Sequence, residues 1–364
     1  DKMTNKEYWF WLLNIDKIGN RKIKGILDFY GCPKEAFNGN IKDLKEIKNL
    51  TKEDRLKIVK SKDIKLVKES YNKLNEKGIY FVTIKDKDYP LKLKNIYDPP
   101  YGLYVKGKLP NKDKVSIGVV GARNCSDYGR AVAMNLSKEL SEAGIEIISG
   151  LAYGIDTYAH IGALDGSGST YGVLGCGVDV CYPKENFSTY MKIQERGGII
   201  SEYGIGVSPR PFQFPMRNRI ISGLSDGILV IEAKEKSGSF ITVDAGLEQG
   251  KNIYAVPGNI YDSLSAGCNN LLKMGAKTVT SPDDIIEDFI YNFHNSRDNK
   301  LNKDKLLERK EKIVYACLSH LPKHMNEIAG ETNLHIDELS VILLQLEIKK
   351  LAKEIRKNYY TCIS

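Results

Sequence analysis

What this sequence lacks narrows its function early. No stretch approaches the ~18 consecutive apolar residues of a membrane-spanning helix. The first residues, Asp1-Lys2-Met3, do not show the charged-then-apolar pattern of a secretion signal. A soluble, cytoplasmic chain with no membrane attachment is the expectation. The seven cysteines (Cys32, Cys125, Cys176, Cys181, Cys268, Cys317, Cys362) are odd in number, scattered and without a C-x-x-C pair, which argues against a disulfide framework or a closed zinc site. The histidines (His160, His294, His320, His324, His335) offer no H-E-x-x-H, and His320 and His324 lack a third ligand, so no metal is expected. Two glycine signatures of nucleotide chemistry are also missing. Gly118-Val-Val-Gly121 is not G-x-G-x-x-G, and Gly246-x-x-x-Gly250-Lys251-Asn252 misses the P-loop in spacing and in its final Ser/Thr. No cofactor is expected.

The chain has 364 residues, 42% of them hydrophobic and 27% charged, enough to bury more than one core. Its net charge of +8 is unevenly placed: residues 1–114 carry +11, residues 115–299 carry −6 and residues 300–364 carry +3. The ends invite a polyanion. A middle segment that also binds one must do so through a local patch.

Residues 1–75 read as short helices, and Leu12–Gly31 (LLNIDKIGNRKIKGILDFYG) resembles a helix-hairpin-helix of the SAM-like kind. Its turn either aims N–H groups and lysines at a phosphate or belongs to a small bundle with a solvated basic face. From residue 76 to 291, β-rich runs (Ile79–Ile84, Ser116–Val120, Ile145–Ser149, Tyr171–Leu174, Gly198–Ser201, Gly227–Glu232, Asn252–Val256) alternate with helical patterns such as Ala131–Ala143 and Thr242–Gln249. This order predicts an α/β fold, an extended Rossmann-like doubly wound sheet with ligands at the carboxyl ends of its strands. Residues 292–305 read as a linker. Residues 306–364, with helices over Ile313–Leu321, Met325–Ala329 and Ile336–Lys349 and a hairpin of Leu351–Ile355 with Tyr359–Ile363, read as a winged helix.

The chemistry concentrates in turns at strand ends. Gly121-Ala-Arg123-Asn-Cys-Ser126 leaves a strand for a helix, so its small residues can bring N–H groups to an anion while Arg123 grips a phosphate. Ser149-Gly150-Leu-Ala152-x-Gly154-Ile-Asp156 repeats that geometry. Tyr182-Pro183-Lys184-Glu-Asn186-Phe187 places a cation and an aromatic three residues apart, Lys184 for a phosphate and Phe187 for a base, as single strands require. Between Tyr203 and Ser225 there is no acidic residue, while Arg210, Arg217 and Arg219 fall within ten positions. This is the local patch that the net-acidic middle segment needs. Ser237-Gly238-Ser239 then opens another helix with hydroxyl and backbone donors.

Taken together, G-A-R-N-C-S-x-Y-G, S-G-L-A-x-G-I-D-x-x-A-H, L-G-C-G-V-D-x-x-Y-P-x-x-N, F-P-x-R-N-R-I-I-S-G-L-S, V-I-E-A-x-x-x-S-G-S-x-I-T and A-V-P-G-N resemble, in this order, the DNA-processing protein A family (DprA, also called Smf). The likeness is dense over residues 79–290. It implies a non-enzymatic single-stranded DNA-binding protein of natural transformation and homologous recombination. Such a protein protects incoming strands, loads the recombinase RecA onto them, and forms a homodimer through its Rossmann-like domain. It also implies that Arg123 and its turn hold one phosphate, that Lys184 holds a second and that Phe187 stacks on a base. Arg217 and Arg219 either line the groove or order neighbouring loops through ion pairs with Asp156 or Glu232. Ala122 and Cys125 depart from the hydroxyl residues common in the family, a loss of a hydroxyl at most. The basic run Lys349, Lys350, Lys353, Arg356 and Lys357 suits either a DNA contact or the solvated face of a protein-interaction wing.

A second function stays open at this stage: a nucleotide sensor or nucleotide-processing enzyme of the same superfamily, with Asp156, Glu232 or Asp244 as acid or base. Against it, the chain reads S-G-S-F-I-T where the phosphoribohydrolases of this fold carry P-G-G-x-G-T-x-x-E.

Overall fold

A computed structural model describes residues 2–289, 309–319, 322–332, 334–349 and 351–362. The predicted linker lies outside the described residues. The chain forms two compact units, Asp1–Ile286 and Glu287–Ser364.

The first unit is built on a nine-stranded sheet: β1 (Ile79–Thr83), β2 (Gly102–Gly107), β3 (Ser116–Gly121), β4 (Glu146–Ser149), β5 (Thr170–Leu174), β6 (Gly198–Ser201), β7 (Gly227–Ile231), β8 (Asn252–Ala255) and β9 (Lys277–Thr278). Their spatial order is β1-β2-β6-β5-β4-β3-β7-β8-β9. From β6 to β9 all pairings are parallel, and their crossovers contain α7 (Asp127–Glu142), α8 (Ile155–Asp165), α9 (Phe187–Arg196), α10 (Gln213–Leu224), α11 (Ser239–Glu248) and α12 (Ser263–Lys273). The seven anticipated strands are present. The two that sequence patterning did not show are β2, antiparallel to both β1 and β6, and the two-residue β9. Strands β3, β5 and β7 are apolar along nearly their whole length because helices cover both faces.

After β3 the chain winds through β4, β5 and β6 to one side, then returns to place β7 on the other side of β3. The strand order reverses there, and a crevice opens at the carboxyl ends of β3 and β7. Gly121 pairs with Ile231, and the Ala122 N–H donates to the Glu232 carbonyl at 2.7 Å. The fit leaves no room for a side chain, since a Cβ on Gly121 would lie 1.9 Å from the Ile231 carbonyl oxygen.

The amino-terminal helices α1 (Asn5–Leu13), α2 (Asn20–Tyr30), α3 (Pro33–Asn38), α4 (Lys52–Lys60) and α5 (Ile64–Glu76) pack on one edge of this sheet and share its core. Helix α1 opens with a capping box between Thr4 and Glu7 and buries Tyr8, Trp9, Phe10 and Trp11 around its circumference. Phe10 meets Phe81 and Tyr104 edge-on, so this helix is a core element of the α/β unit. The hairpin turn at Gly19-Asn20 faces the sheet. The Asn20 side chain donates to Glu202 at 2.9 Å, and Glu202 accepts both 2.7 Å bonds from Arg219, whose Nε lies 3.4 Å from Asp98. The hairpin's polar tip is thereby committed to a carboxylate inside the same unit.

The second unit holds α14 (Arg309–Cys317), α15 (Met325–Thr332) and α16 (Ile336–Ile348), following the short α6 (Leu91–Lys94) and α13 (Asp283–Ile286) of the first. Its sheet joins β10 (Lys323–His324), β12 (Tyr359–Cys362) and β11 (Ala352–Arg356), the three-helix and wing arrangement of a winged helix. Val314, Ile328, Leu339, Leu343 and Leu346 form its core.

Replacing Gly121 by alanine should force β3 and β7 apart at the crevice. The expected cost is about 1–3 kcal/mol, read as a lowered midpoint in thermal unfolding followed by circular dichroism.

Candidate nucleic-acid interface

The crevice between β3 and β7 is a cleft of about 440 Å³. Gly121–Asn124 line it from the end of β3, Lys234 and Lys236–Ser239 from the turn after β7, and Phe214, Arg217 and Asn218 from α10. Of the residues singled out from sequence, it gathers Gly121, Arg123, Asp156, Arg217, Ser237, Gly238 and Ser239. Ser126, Lys184, Asn186, Phe187, Arg210 and Arg219 lie outside it.

The turn entering α7 differs from the anion cradle anticipated there. Ser126 caps the helix by accepting from the Gly129 N–H at 3.1 Å. Both its own N–H, at 2.8 Å, and its hydroxyl are bound by the buried Glu232 carboxylate. The anion position at the start of α7 is thus taken by an internal carboxylate. Glu232 itself has φ +51, a left-handed conformation that few non-glycine residues adopt. Arg123, on the same loop, is exposed and has no ion-pair partner among the described residues.

The four arginine positions sort by environment. Arg123 is exposed and lies over the Phe214 ring, 5.8 Å from its centroid. Arg210 is exposed at the approach to α10. Arg217 is 5% exposed, and its Nη1 donates to the carbonyls of Gly150, at 2.6 Å, and Val173. Asp156 and Arg217 flank Gly150, where an added Cβ would meet the guanidinium at 2.5 Å and the carboxylate at 2.6 Å. Burial raises the Asp156 carboxyl pKa and the Arg217 charge opposes that rise, while Asp156 Oδ2 accepts from the Gly150 N–H at 3.0 Å. Arg219 pairs with Glu202 and Asp98, partners other than the Asp156 and Glu232 considered from sequence. His160 is fully buried, its Nδ1 2.7 Å from Thr170 Oγ1, and burial pushes its pKa down to about 3, so it is neutral.

The Lys184 loop is a second exposed element. Asn186 is buried and fastens it, donating to the Leu151 carbonyl at 2.9 Å and to Thr157 Oγ1 at 2.7 Å. Lys184 stands exposed, Phe187 is 57% exposed, and the Phe187 ring stacks on Tyr190.

What sequence reasoning missed is the link between the two elements. Phe214 stacks on Tyr182, centroids 5.7 Å apart, so Arg123, Phe214 and Tyr182 form a column from the cleft to the Lys184 loop. Beside it, Arg123 also lines a shallower hollow with Arg130, Tyr153 and Tyr158, in which Arg130 lies over the Tyr158 ring. The Tyr153 hydroxyl donates to Glu185 at 2.7 Å and joins this hollow to the Lys184 loop. Lys234 and Lys236 were missed as well, since they occupy the variable positions of V-I-E-A-x-x-x-S-G-S. Cations interleaved with half-buried and exposed rings form the arrangement that tracks a single-stranded backbone while offering faces to its bases.

In the second unit, α16 contains no lysine or arginine and exposes Val341, Leu344 and Ile348. On the wing, Lys353 and Lys357 are exposed and Arg356 lies over the Tyr359 ring, while Lys349 bonds to Glu311. Lys350 lies outside the described residues. No described helix is long and apolar enough to cross a membrane, and no group of three His, Cys, Asp or Glu among the described residues could hold a metal ion.

A doubly wound α/β unit with a cation- and ring-lined crevice, followed by a winged helix, is the class of protein defined by this geometry. Comparison with known proteins narrows it. The profile of the DNA recombination-mediator protein A family matches residues 80–290, and that of the DprA winged helix domain matches residues 303–354. DNA processing protein DprA of Bacillus subtilis is 43% identical over 58% of this chain and 72% of its own length. Protein Smf of Synechocystis is 29% identical over 97% of this chain and 98% of its own. Among solved structures, DNA processing protein A of Streptococcus pneumoniae superposes with a TM-score of 0.67 at 36% identity, covering 79% of this chain and 98% of that one. DNA processing protein A of Helicobacter pylori, whose structure concerns a single-stranded DNA binding mode, superposes with a TM-score of 0.52 at 28% identity, covering 58% and 96%. The chain belongs to the DNA recombination-mediator protein A family, that of the DprA and Smf proteins.

Exchanging Glu232 for alanine should strand the Ser126 N–H and loosen the loop that carries Arg123. A loss of about 1–3 kcal/mol is expected, measurable by urea unfolding, whereas Glu235→Ala on the exposed side of the same turn should leave stability unchanged.

Proposed function

We propose that this chain binds single-stranded DNA along the column from the cleft to the Lys184 loop and performs no chemistry on it. The observation that carries this reading is the juxtaposition of exposed cations lacking an ion-pair partner among the described residues with aromatic rings: Arg123 over the half-buried Phe214, which stacks on the exposed Tyr182, and Lys184 beside the exposed Phe187. In this reading Arg123 and Lys184 hold phosphates, and Phe187 and Tyr182 stack on bases. The Gly121 turn and the Ser237-Gly238-Ser239 turn shape the cleft, and Arg210 adds positive field at its rim. Ser126, Asn186, Arg217 and Arg219 act one step back, fastening the loops that carry the contacting groups. The acids that an enzyme would need are otherwise engaged or elsewhere: Glu232 is bound to Ser126, Asp156 to Gly150, and Asp244 is not part of the cleft lining.

The wider role we infer is that of the family resemblance: protection of incoming strands in natural transformation and homologous recombination, in the cytoplasm, with loading of the RecA recombinase by a homodimer. Exposed apolar residues on either side of α12, Ile260, Tyr261 and Met274, support a protein contact by this unit. The outer stripe of α16, free of lysine and arginine, favours a protein-facing winged helix over one that reads a DNA groove.

Fluorescence anisotropy of labelled oligo-dT across a salt series tests the binding reading. Arg123→Ala/Lys184→Ala should weaken binding and reduce the slope of log K against log[salt] by about 1.4, two phosphates at about 0.7 each. Unchanged affinity in this variant would overturn the assignment. Phe187→Ala should cost about 1–3 kcal/mol of binding free energy, roughly fivefold to 150-fold, with the salt slope unaltered. A base-stacking residue predicts that split, and a merely structural one does not.

A further inference from the structure

We propose that the cleft between β3 and β7 is a site for a nucleotide phosphomonoester, the terminal phosphate of a strand or of a free mononucleotide. This rests on the single-strand reading above: the cleft heads the column, and Arg123, shared by both, would hold a terminal phosphate there together with Lys234 and Lys236.

The charge balance of the cleft sets it apart. Arg123 comes from the end of β3, and Lys234 and Lys236 from the turn after β7; all three are exposed cleft-lining residues without an ion-pair partner among the described residues. The acids that could have neutralised them are spent. Glu232 is turned into the start of α7 by Ser126, Asp156 lines the cleft but is buried against Gly150 and offset by Arg217, which lines it too, and Glu235, between the two lysines, is not part of the lining. Three uncompensated positive charges on two adjacent loops call for a ligand with more than one negative charge. An internal phosphodiester carries one, and a single cation such as Lys184 serves it. A phosphomonoester carries about −1.5 to −2 at neutral pH.

The remaining lining fits the same group. Ser237 and Ser239 place two hydroxyls 2.8 Å apart at the start of the ten-residue α11. Phe214 and Ile241 add an apolar wall, and the volume of about 440 Å³ lies in the range that encloses a small ligand. The α7 terminus is closed to an anion by Glu232, which leaves the β7 side as the open position.

The test uses the full chain and 3′-labelled oligo-dT carrying either a 5′-phosphate or a 5′-hydroxyl, with a 5′-labelled set bearing a 3′-phosphate or 3′-hydroxyl. One phosphorylated end should bind about tenfold more tightly than its hydroxyl counterpart, the scale of a charged hydrogen bond. That ratio should fall to near one in Lys234→Ala/Lys236→Ala, with an unfolding midpoint like that of the native chain. Added dTMP distinguishes the sources. Displacement of the phosphorylated oligomer by dTMP, and not by thymidine, assigns the site to mononucleotides as well; failure to displace it confines the site to strand ends. Equal affinity for phosphorylated and hydroxyl ends, with no heat of dTMP binding in calorimetry, would overturn the inference while leaving single-strand binding intact. Binding of dTMP without binding of any oligomer would instead remove the single-strand reading and keep the cleft.

Discussion

The carboxylate of Glu232 lies at the first turn of α7, where the strand-to-helix turn is expected to cradle an anion, and much of the site follows from that occupancy. Its carbonyl accepts from Ala122 and its side chain from Ser126, so one residue after β7 holds both ends of the loop that carries Arg123. The left-handed backbone at Glu232 is tolerated because these bonds and the Gly121 contact over-determine it. With the α7 terminus filled, Arg123 is left unpaired and turned toward the Phe214 ring.

Arginine serves two unlike purposes within one short stretch. Arg217 donates to two strand-end carbonyls and is almost out of reach of water, and Arg219 ties α10 to the amino-terminal hairpin through Glu202. A planar, multiply donating cation suits such bridging, and lysine would not replace it. The positive patch read from residues 203–225 is real as composition, yet two of its three charges, Arg217 and Arg219, are consumed in bonds within the unit.

Much of the fold was legible because the physics is local. Alternation of apolar runs with helical periods gave seven strands with boundaries within about two residues. Strand β2 was hidden because it follows Pro99-Pro100 and pairs antiparallel, outside the strand-helix rhythm. The site was legible in part. Glycine and serine turns mark strand ends wherever they fall, so Gly121, Arg123 and Ser237–Ser239 were found. Which arginine is free and which is buried depends on neighbours far away in sequence: Arg123 and Arg217 carry the same local signal and have opposite fates. The stack of Phe214 on Tyr182 joins residues of two different crossovers, and no spacing rule reports it.

The edges of the large sheet carry a consequence for assembly. One edge is β9, two residues long; at the other, β1 lies beside α1, whose Lys6 reaches the Phe81 carbonyl at 3.4 Å. A short strand and a lysine-blocked one are poor templates for adding a further strand. Growth of the sheet into a neighbouring molecule is therefore disfavoured at both ends, and any contact between copies of this unit falls to side chains on its helices and loops, where it can be formed and released without unzipping backbone hydrogen bonds.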